Sequence, residues 1–463
     1  MISSGQGCRV AAVRSLQATG LACLLAALPL QGLSAQNAGR IPFETYTLPN
    51  GLRVVLSEDR STPIVTVNVW YHVGSANERV RRSGFAHLFE HMMFQGSANV
   101  RKAEHFQLVE RAGGEMNGST NEDRTNYFET LPSNRLNLGL WLEADRMRSL
   151  AITQENFENQ RQAVKEERRL RVDNQPYQRV LLEALTVPFD STGCFAYAHT
   201  VIGDMSDLDS ARVEDVQEFF RANYAPNNAV LTIVGDFDAA QARRLVEQYY
   251  GDIPRQADIA DVRCETRYGT GTRRVDATDN NANLPAVVLV YKVPPRSDAD
   301  APALDLLTTI LGGGESSRLN RRLVRSERSA LASAGFANLR RGPGVLLLFG
   351  IANQGVEASR VEVQLNEEVD RLRSDSIAEA ELAKARNQYR AGAIRSRQST
   401  MGVAETLQGA LRFQGSLEAA NTETDRYMAV TVADLRRVAQ RYLMPENRLT
   451  VVVNPPANRG GSN

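Results

Sequence analysis

An internal repeat constrains the fold of this chain more than any other feature of its sequence. Four residues recur with the same order and spacing after a displacement of 219 residues: Val213, Asp215, Pro226 and Asn228 return as Val432, Asp434, Pro445 and Asn447. Each set runs from an amphipathic helix pattern through a proline turn into an apolar strand pattern. A shared offset over such a unit predicts the duplication of a whole domain of about 200 residues.

Length and patterning favour the same organisation. The 463 residues exceed what one hydrophobic core usually organises. Strand patterns at residues 46–57 and 64–73 are followed by helix patterns, and the two kinds mix along the chain. We therefore predict an α+β fold of two similar tandem domains, each a sheet packed with helices. Their expected bounds are residues 44–255 and residues 265–456.

The N-terminus has the layout of an export signal. Residues 1–35 begin with two arginines and no acidic residue, continue with an apolar run at residues 21–30 and end on Leu33-Ser34-Ala35. A mitochondrial transit peptide is the alternative, but it would spread its arginines along an amphipathic helix. We expect a signal peptide that is cleaved after Ala35 and export to the periplasm or the extracellular space. The apolar run is too short for a permanent membrane anchor.

Removal of residues 1–35 would leave two cysteines, Cys194 and Cys264. Two are too few for a disulfide framework that holds the fold together. One bridge between them is possible in an oxidising compartment, and two unpaired thiols are the alternative. The sequence leaves this choice open.

The sequence His87-Leu88-Phe89-Glu90-His91 is the strongest chemical signal. Its surroundings favour a helix, on which residues four apart lie on one face, so His87 and His91 direct their imidazoles to a common point. Two nitrogens at this spacing suit Zn²⁺. Glu90 projects near the same face, where its carboxylate could accept a proton from water at the metal. Two incidental histidines on a buried helix are the alternative, which the chain's total of five histidines disfavours.

The sequence resembles the pitrilysin/insulinase family of zinc peptidases, particularly its smaller members similar to mitochondrial processing peptidase. The H-x-x-E-H pattern at residues 87–91 is the signature of inverzincins. Further stretches match in order and spacing: residues 47–52, 84–96, 117–132, 201–203, 224–228 and 234–236. The resemblance implies two domains that face one another around a chamber, with one zinc ion per chain bound by the first domain.

The resemblance also implies the third metal ligand. A catalytic zinc keeps three protein ligands and one open position. The family places a glutamate three residues after an apolar position matched here by Val164, which selects Glu167 over Glu166. From the residues alone, both glutamates fit a solvated helix face. Many family members carry another glutamate seven positions before this ligand, where Gln160 keeps the capacity to orient a ligand but not the charge.

The second half carries no copy of the metal motif. A displacement of the motif by 219 residues reaches Leu306 and Ile310. In the family, this domain usually supplies an arginine and a tyrosine that hold substrate and stabilise the tetrahedral intermediate. The matching positions here are Arg325 and Ala332. The tyrosine hydroxyl is therefore missing from this chain.

These observations predict a zinc-dependent endopeptidase that cleaves peptides or small unfolded proteins, with Glu90 as general base. An extended substrate would pair with an edge strand near Asn117. Because Ala332 has no side-chain donor, we expect a second similar subunit to supply the arginine and tyrosine in a heterodimer. A homodimer that uses Arg325 is the alternative. Basic and acidic residues balance at 54 each, so net charge indicates no nucleic-acid partner.

Two other functions would fit the same fold. One is a non-catalytic or assembly subunit of a processing-peptidase-like heterodimer, and the other is a metal-binding carrier without peptidase activity. The first does not require all four of the residues His87, Glu90, His91 and Glu167, and their joint presence argues against it.

Overall fold

The computed structural model describes residues 39–262, 264, 267–269, 271–375 and 377–456. The predicted signal peptide, residues 1–35, lies outside these residues. Residues from Ile41 onward form strands and helices that mix along the chain and assemble into two sheets, so the predicted α+β class is confirmed. No helix in the described ranges combines the length and the apolar character that crossing a membrane requires.

The first sheet is built from strands of the N-terminal half: β1 (Glu44–Thr47), β2 (Arg53–Glu58), β3 (Ile64–Tyr71), β4 (Glu115–Thr120), β5 (Thr125–Pro132) and β6 (Ala229–Gly235). Their order is β1-β2-β6-β3-β5-β4, with β2 and β6 parallel and the other neighbours antiparallel. β3 lies inside the sheet and is almost entirely buried. β4 lies at the edge, so one side of its main chain has no partner strand among the described residues.

The helices of this half pack on the sheet and on one another: α1 (Phe85–Met92), α2 (Glu104–Arg111), α3 (Leu136–Ser149), α4 (Gln154–Arg168), α5 (Gln178–Ala184), α6 (Met205–Ser210), α7 (Val213–Asn223) and α8 (Ala239–Tyr250). α3 contacts β3, β5 and α8, and it buries Leu140 and Leu142 in the core. α4 continues directly into a π-helical segment, Arg169–Asp173.

The second sheet repeats this plan. Its strands are β7 (Arg273–Thr278), β8 (Ala286–Val293), β9 (Ala330–Asn338), β10 (Gly344–Ala352) and β11 (Arg448–Asn454), in the order β7-β11-β8-β10-β9. The helices are α9 (Ala301–Gly312), α10 (Ala358–Ser374), α11 (Glu379–Ser396), α12 (Thr400–Gln414), α13 (Ala419–Ala429) and α14 (Val432–Tyr442). The parallel pair β7 and β11 corresponds to β2 and β6 of the first sheet.

The repeat predicted from the sequence has a direct structural counterpart. Both bounds of α7 and both bounds of β6 return in α14 and β11 after the same 219 residues. The order β2-β6-β3-β5-β4 matches β7-β11-β8-β10-β9 strand for strand, and only β1 is additional. The two halves therefore share one topology, which confirms the predicted pair of similar domains, although their expected bounds stay predictions.

Helix α12 of the second half packs on the first sheet. Its first residue, Thr400, shares a hydrogen bond with Thr66 of β3 at 2.7 Å between the hydroxyl oxygens. Glu405 accepts hydrogen bonds from Asn68 at 2.8 Å and Asn126 at 2.9 Å. Because these polar groups are shielded from water, each depends on its partner in the other half.

Cys194 and Cys264 are joined by a disulfide, which answers the question that the sequence left open. The bridge ties the loop that precedes a short 3₁₀ segment, Phe195–Tyr197, to the polar stretch that follows the first half. The loop therefore has a covalent anchor as well as hydrogen bonds.

Replacing both cysteines with serine should lower the free energy of unfolding by about 3 to 4 kcal/mol, because the bridge restricts the unfolded chain over a long loop. The bridged residues are 70 positions apart. Urea unfolding without reductant measures the difference. Reductant should move the wild-type midpoint to that of the variant and leave the variant unchanged. Equal midpoints for oxidised wild type and variant would contradict the bridge.

Candidate metal centre

Helix α1 has one apolar side and one side that carries histidines. Phe85, Leu88 and Phe89 are buried, and Phe89 stacks on Phe220 with ring centroids 5.6 Å apart. This packing fixes the rotation of the helix. His87 and His91 consequently lie together, with ring centroids 4.9 Å apart, and α1 contacts α4.

Glu167, near the end of α4, completes a group of three candidate metal ligands. Its Oε2 lies 3.1 Å from Nε2 of His91 and 3.7 Å from Nε2 of His87. One ligand atom from each residue falls within 4.8 Å of the others. Two imidazoles and one carboxylate are a donor set of catalytic zinc, which keeps a further position open. The residues present therefore fit a zinc ion.

The charges of the three side chains also suit a cation. Burial lowers the pKa of His87 to about 4, so its imidazole is neutral and has a lone pair to donate at neutral pH. The hydrogen bond from His91 lowers the pKa of Glu167, which keeps its carboxylate ionised. Arg171 in the π-helical segment holds Oε1 of Glu167 at 2.7 Å. The other oxygen, Oε2, is the one that faces the histidines.

Glu90 lies between the histidine positions and strand β4. Its Oε2 accepts a hydrogen bond from the hydroxyl of Thr120 at 2.6 Å, and this contact orients the carboxylate. Burial raises the pKa of Glu90 above its ordinary value. A carboxylate with a raised pKa is a stronger base than a solvated one, which suits proton transfer.

A cavity of about 340 Å³ adjoins these residues, and its lining includes His87, Glu167 and Thr120. Arg340, from the turn between β9 and β10, also lines it and forms an ion pair with Glu122 at 2.9 Å. The second half therefore contributes part of the cavity wall. Neither Arg340 nor Arg171 was anticipated from the sequence, although Arg171 stands at the helical i,i+4 spacing from Glu167.

Gln160 and Asn117 lie away from the three candidate ligands. The amide of Gln160 is buried in α4 and donates to Asn159 at 2.7 Å, so the structure gives it no hydrogen bond to a ligand. Asn117 is exposed on edge strand β4, and its side-chain oxygen accepts from the N–H of Gly118 at 2.8 Å. The ligand-orienting role of Gln160 and the substrate contact of Asn117 stay predictions.

The positions singled out in the second half are not brought to the metal cavity. Arg325 is exposed and forms an ion pair with Glu315 at 2.6 Å. Ala332 is half-buried in β9, opposite Ile351 of β10. Leu306 lies in the buried helix α9, which has no metal-binding side chains at the positions that match the motif.

Comparison with known proteins agrees with this geometry. Residues 53–191 match the family model described as insulinase, peptidase family M16, and residues 210–389 match the model described as the M16 inactive domain. The zinc protease PqqE of Helicobacter pylori is 32% identical over 422 residues, which cover 89% of this chain and 93% of that protein.

Two further similarities cover most of the chain. A probable mitochondrial-processing peptidase subunit beta of Arabidopsis thaliana is 24% identical over 88% of this chain and 78% of its own length. The crystal structure of a protease from Helicobacter pylori matches 90% of this chain and all of that chain, with a TM-score of 0.83 and 30% identity. The chain therefore belongs to the insulinase family of peptidases, family M16.

Proposed function

We propose that this chain is a zinc-dependent endopeptidase that cleaves peptides or small unfolded proteins. The observation that carries the proposal is the convergence of His87, His91 and Glu167 beside the buried carboxylate of Glu90. One zinc ion per chain would occupy this group. Relatives named zinc proteases support the assignment.

The residues around the site have distinct tasks. When zinc is bound, it supplies a Lewis acid that lowers the pKa of water and polarises a carbonyl group. Glu90 takes the proton of the attacking water on its carboxylate and then delivers it to the nitrogen of the leaving amine. Thr120 holds Oε2 of Glu90, which leaves Oε1 of Glu90 free for the transfer.

The open edge of β4 is where an extended substrate would lie. An added peptide strand would form main-chain hydrogen bonds with residues 115–120, next to the strand position that holds Glu90. Such pairing tolerates many side chains, which suits peptides of varied sequence. Asn117 would be one of the residues that such a strand covers.

Chelation is the experiment that tests the proposed function most directly. Peptide turnover by the purified protein, with its physiological partner where one is needed, should disappear with a chelator and return with added zinc. A carrier would bind zinc without turnover, and an assembly subunit would show neither. Turnover that persists after complete metal removal would exclude the proposed chemistry.

We also propose that a second, similar subunit completes the site. With alanine at position 332, the chain has no tyrosine hydroxyl to donate to the developing oxyanion. Losing one such donor typically lowers the rate about 10²- to 10³-fold. The isolated chain should therefore bind zinc but cleave slowly, and co-expression with its partner should restore the rate.

The partner's own tyrosine provides the control for this expectation. Its replacement with phenylalanine should remove most of the gain without separating the subunits, as measured by size-exclusion chromatography. Full activity from the purified chain alone would refute the heterodimer. It would favour a homodimer that uses Arg325.

Export is the proposed location, periplasmic or extracellular. The layout of residues 1–35 carries this proposal. The disulfide between Cys194 and Cys264 supports it, since such bridges persist in oxidising compartments.

A further inference from the structure

Helix α1 begins without a capping side chain of its own. Its N-cap residue is Gly84, with φ of 84°, and the first N–H groups of a helix lack partners within the helix. Glu78 provides the cap from outside: its carboxylate accepts the N–H of Gly84 at 2.9 Å and that of Ala86 at 2.7 Å. The negative charge also interacts favourably with the helix dipole.

The Glu78 carboxylate is fully buried, so its charge requires a partner. His199 provides one, with Nε2 2.9 Å from Oε2 of Glu78. The other ring nitrogen, Nδ1, faces the carbonyl oxygen of Phe195 at 2.7 Å. Because these oxygens only accept, both ring nitrogens of His199 carry hydrogen and the ring is an imidazolium. Burial alone would lower the pKa of His199, but the hydrogen bond and charge of Glu78 raise it above its ordinary value.

The segment around His199 also contacts the helix that carries Glu167. His199 lies in the wall of the same cavity as His87 and Glu167. Four residues after His199, the carbonyl oxygen of Gly203 accepts a hydrogen bond from Arg168, the last residue of α4. Gly203 lies against the start of α1, where a Cβ on Gly84 would be 3.0 Å from its Cα. One segment thus holds the first turn of α1 and the last turn of α4.

We propose that Glu78 and His199 are positioning residues for the metal centre. Their buried ion pair fixes the first turn of α1 against the segment that holds the end of α4. It thereby sets the separation between the histidines of α1 and Glu167. The inference rests on the proposed zinc binding, and the two residues act through the helix rather than on the metal.

The test is zinc affinity in the variants Glu78→Gln and His199→Gln. Each removes one charge of the pair while keeping a polar side chain of similar reach. We expect the zinc Kd to rise about 10- to 100-fold in each, the usual effect of losing a partner that orients a ligand. The double variant should lose about as much as either single variant, because the two residues act as a unit. Chelator competition measures the Kd.

The visible absorption of Co²⁺-loaded protein is the second measurement. It reports the geometry of the ligands, which a loss of stability alone would not change. We expect altered bands in both variants. If Glu78→Gln does not fold, Glu78→Asp replaces it, since aspartate keeps the charge but is too short to reach both N–H groups.

Glu218→Gln is the matched control, because it removes a carboxylate from the exposed ion pair with Arg79, next to Glu78 in the chain. It should leave zinc affinity and the cobalt spectrum unchanged. Wild-type affinity and spectrum in the Glu78 and His199 variants would overturn the inference alone. A wild-type chain without stoichiometric zinc would overturn the proposed function, and this inference with it.

Discussion

Glu90→Gln should remove most peptide turnover while zinc stays bound. Glutamine keeps the size of the side chain, and its amide oxygen can still accept the hydrogen bond from Thr120. It cannot take up a proton from water. General acid–base catalysis typically contributes about 10²- to 10⁴-fold, so kcat should fall by this factor. Steady-state cleavage of a denatured polypeptide by the active assembly measures the loss, and metal analysis measures the zinc.

The same substitution at Glu166 is the control. Glu166 is exposed and pairs with Arg169 at 3.0 Å, away from the three candidate ligands. Glu166→Gln should therefore keep both turnover and zinc. Near-normal turnover in Glu90→Gln would remove Glu90 as the base. Loss of zinc in Glu90→Gln would indicate a ligand instead.

His91→Ala and Glu167→Gln should each abolish stoichiometric zinc. Either change leaves two of the three ligands that a catalytic zinc requires from the protein. The affinity should fall by more than the roughly 10- to 100-fold that accompanies loss of an outer partner. Metal analysis after dialysis against a weak chelator should give about one zinc per wild-type chain and almost none per variant chain.

Glu166→Gln separates the two adjacent glutamates. Both fit a solvated face when the sequence of α4 is considered alone, but only Glu167 lies within reach of both histidines. Full zinc occupancy in Glu167→Gln, with loss in Glu166→Gln, would reverse the assignment. Retention in every variant would place the zinc elsewhere.

The sequence was most informative where a function depends on local periodicity. The spacing of His87 and His91 predicts their common direction because a helix repeats every 3.6 residues. The helix–turn–strand unit around Pro226 predicted its copy around Pro445 because proline fixes the backbone at the turn between the helix and the strand. Glu167 required the family resemblance, since nothing in its neighbourhood distinguishes it from Glu166.

The contacts that escaped prediction join residues far apart in the chain. Glu78 and His199 are 121 positions apart, and their pairing depends on how two loops meet. Arg340 reaches the metal cavity only because the turn after β9 lies against the turn after β4. Neither contact has a periodic pattern, and each residue alone fits an ordinary surface charge.

The packing of α12 on the first sheet bears on whether the halves can exist separately. A gene fragment that stops near residue 255 would encode every candidate zinc ligand. It would nevertheless leave Val55 and Val230 without Leu407 and Leu411, the apolar side chains that cluster with them. Such a fragment would tend to aggregate on expression. Because each half packs a helix on the sheet of the other, α12 on the first and α5 on the second, the ancestral single copy would have needed a second copy to supply that helix.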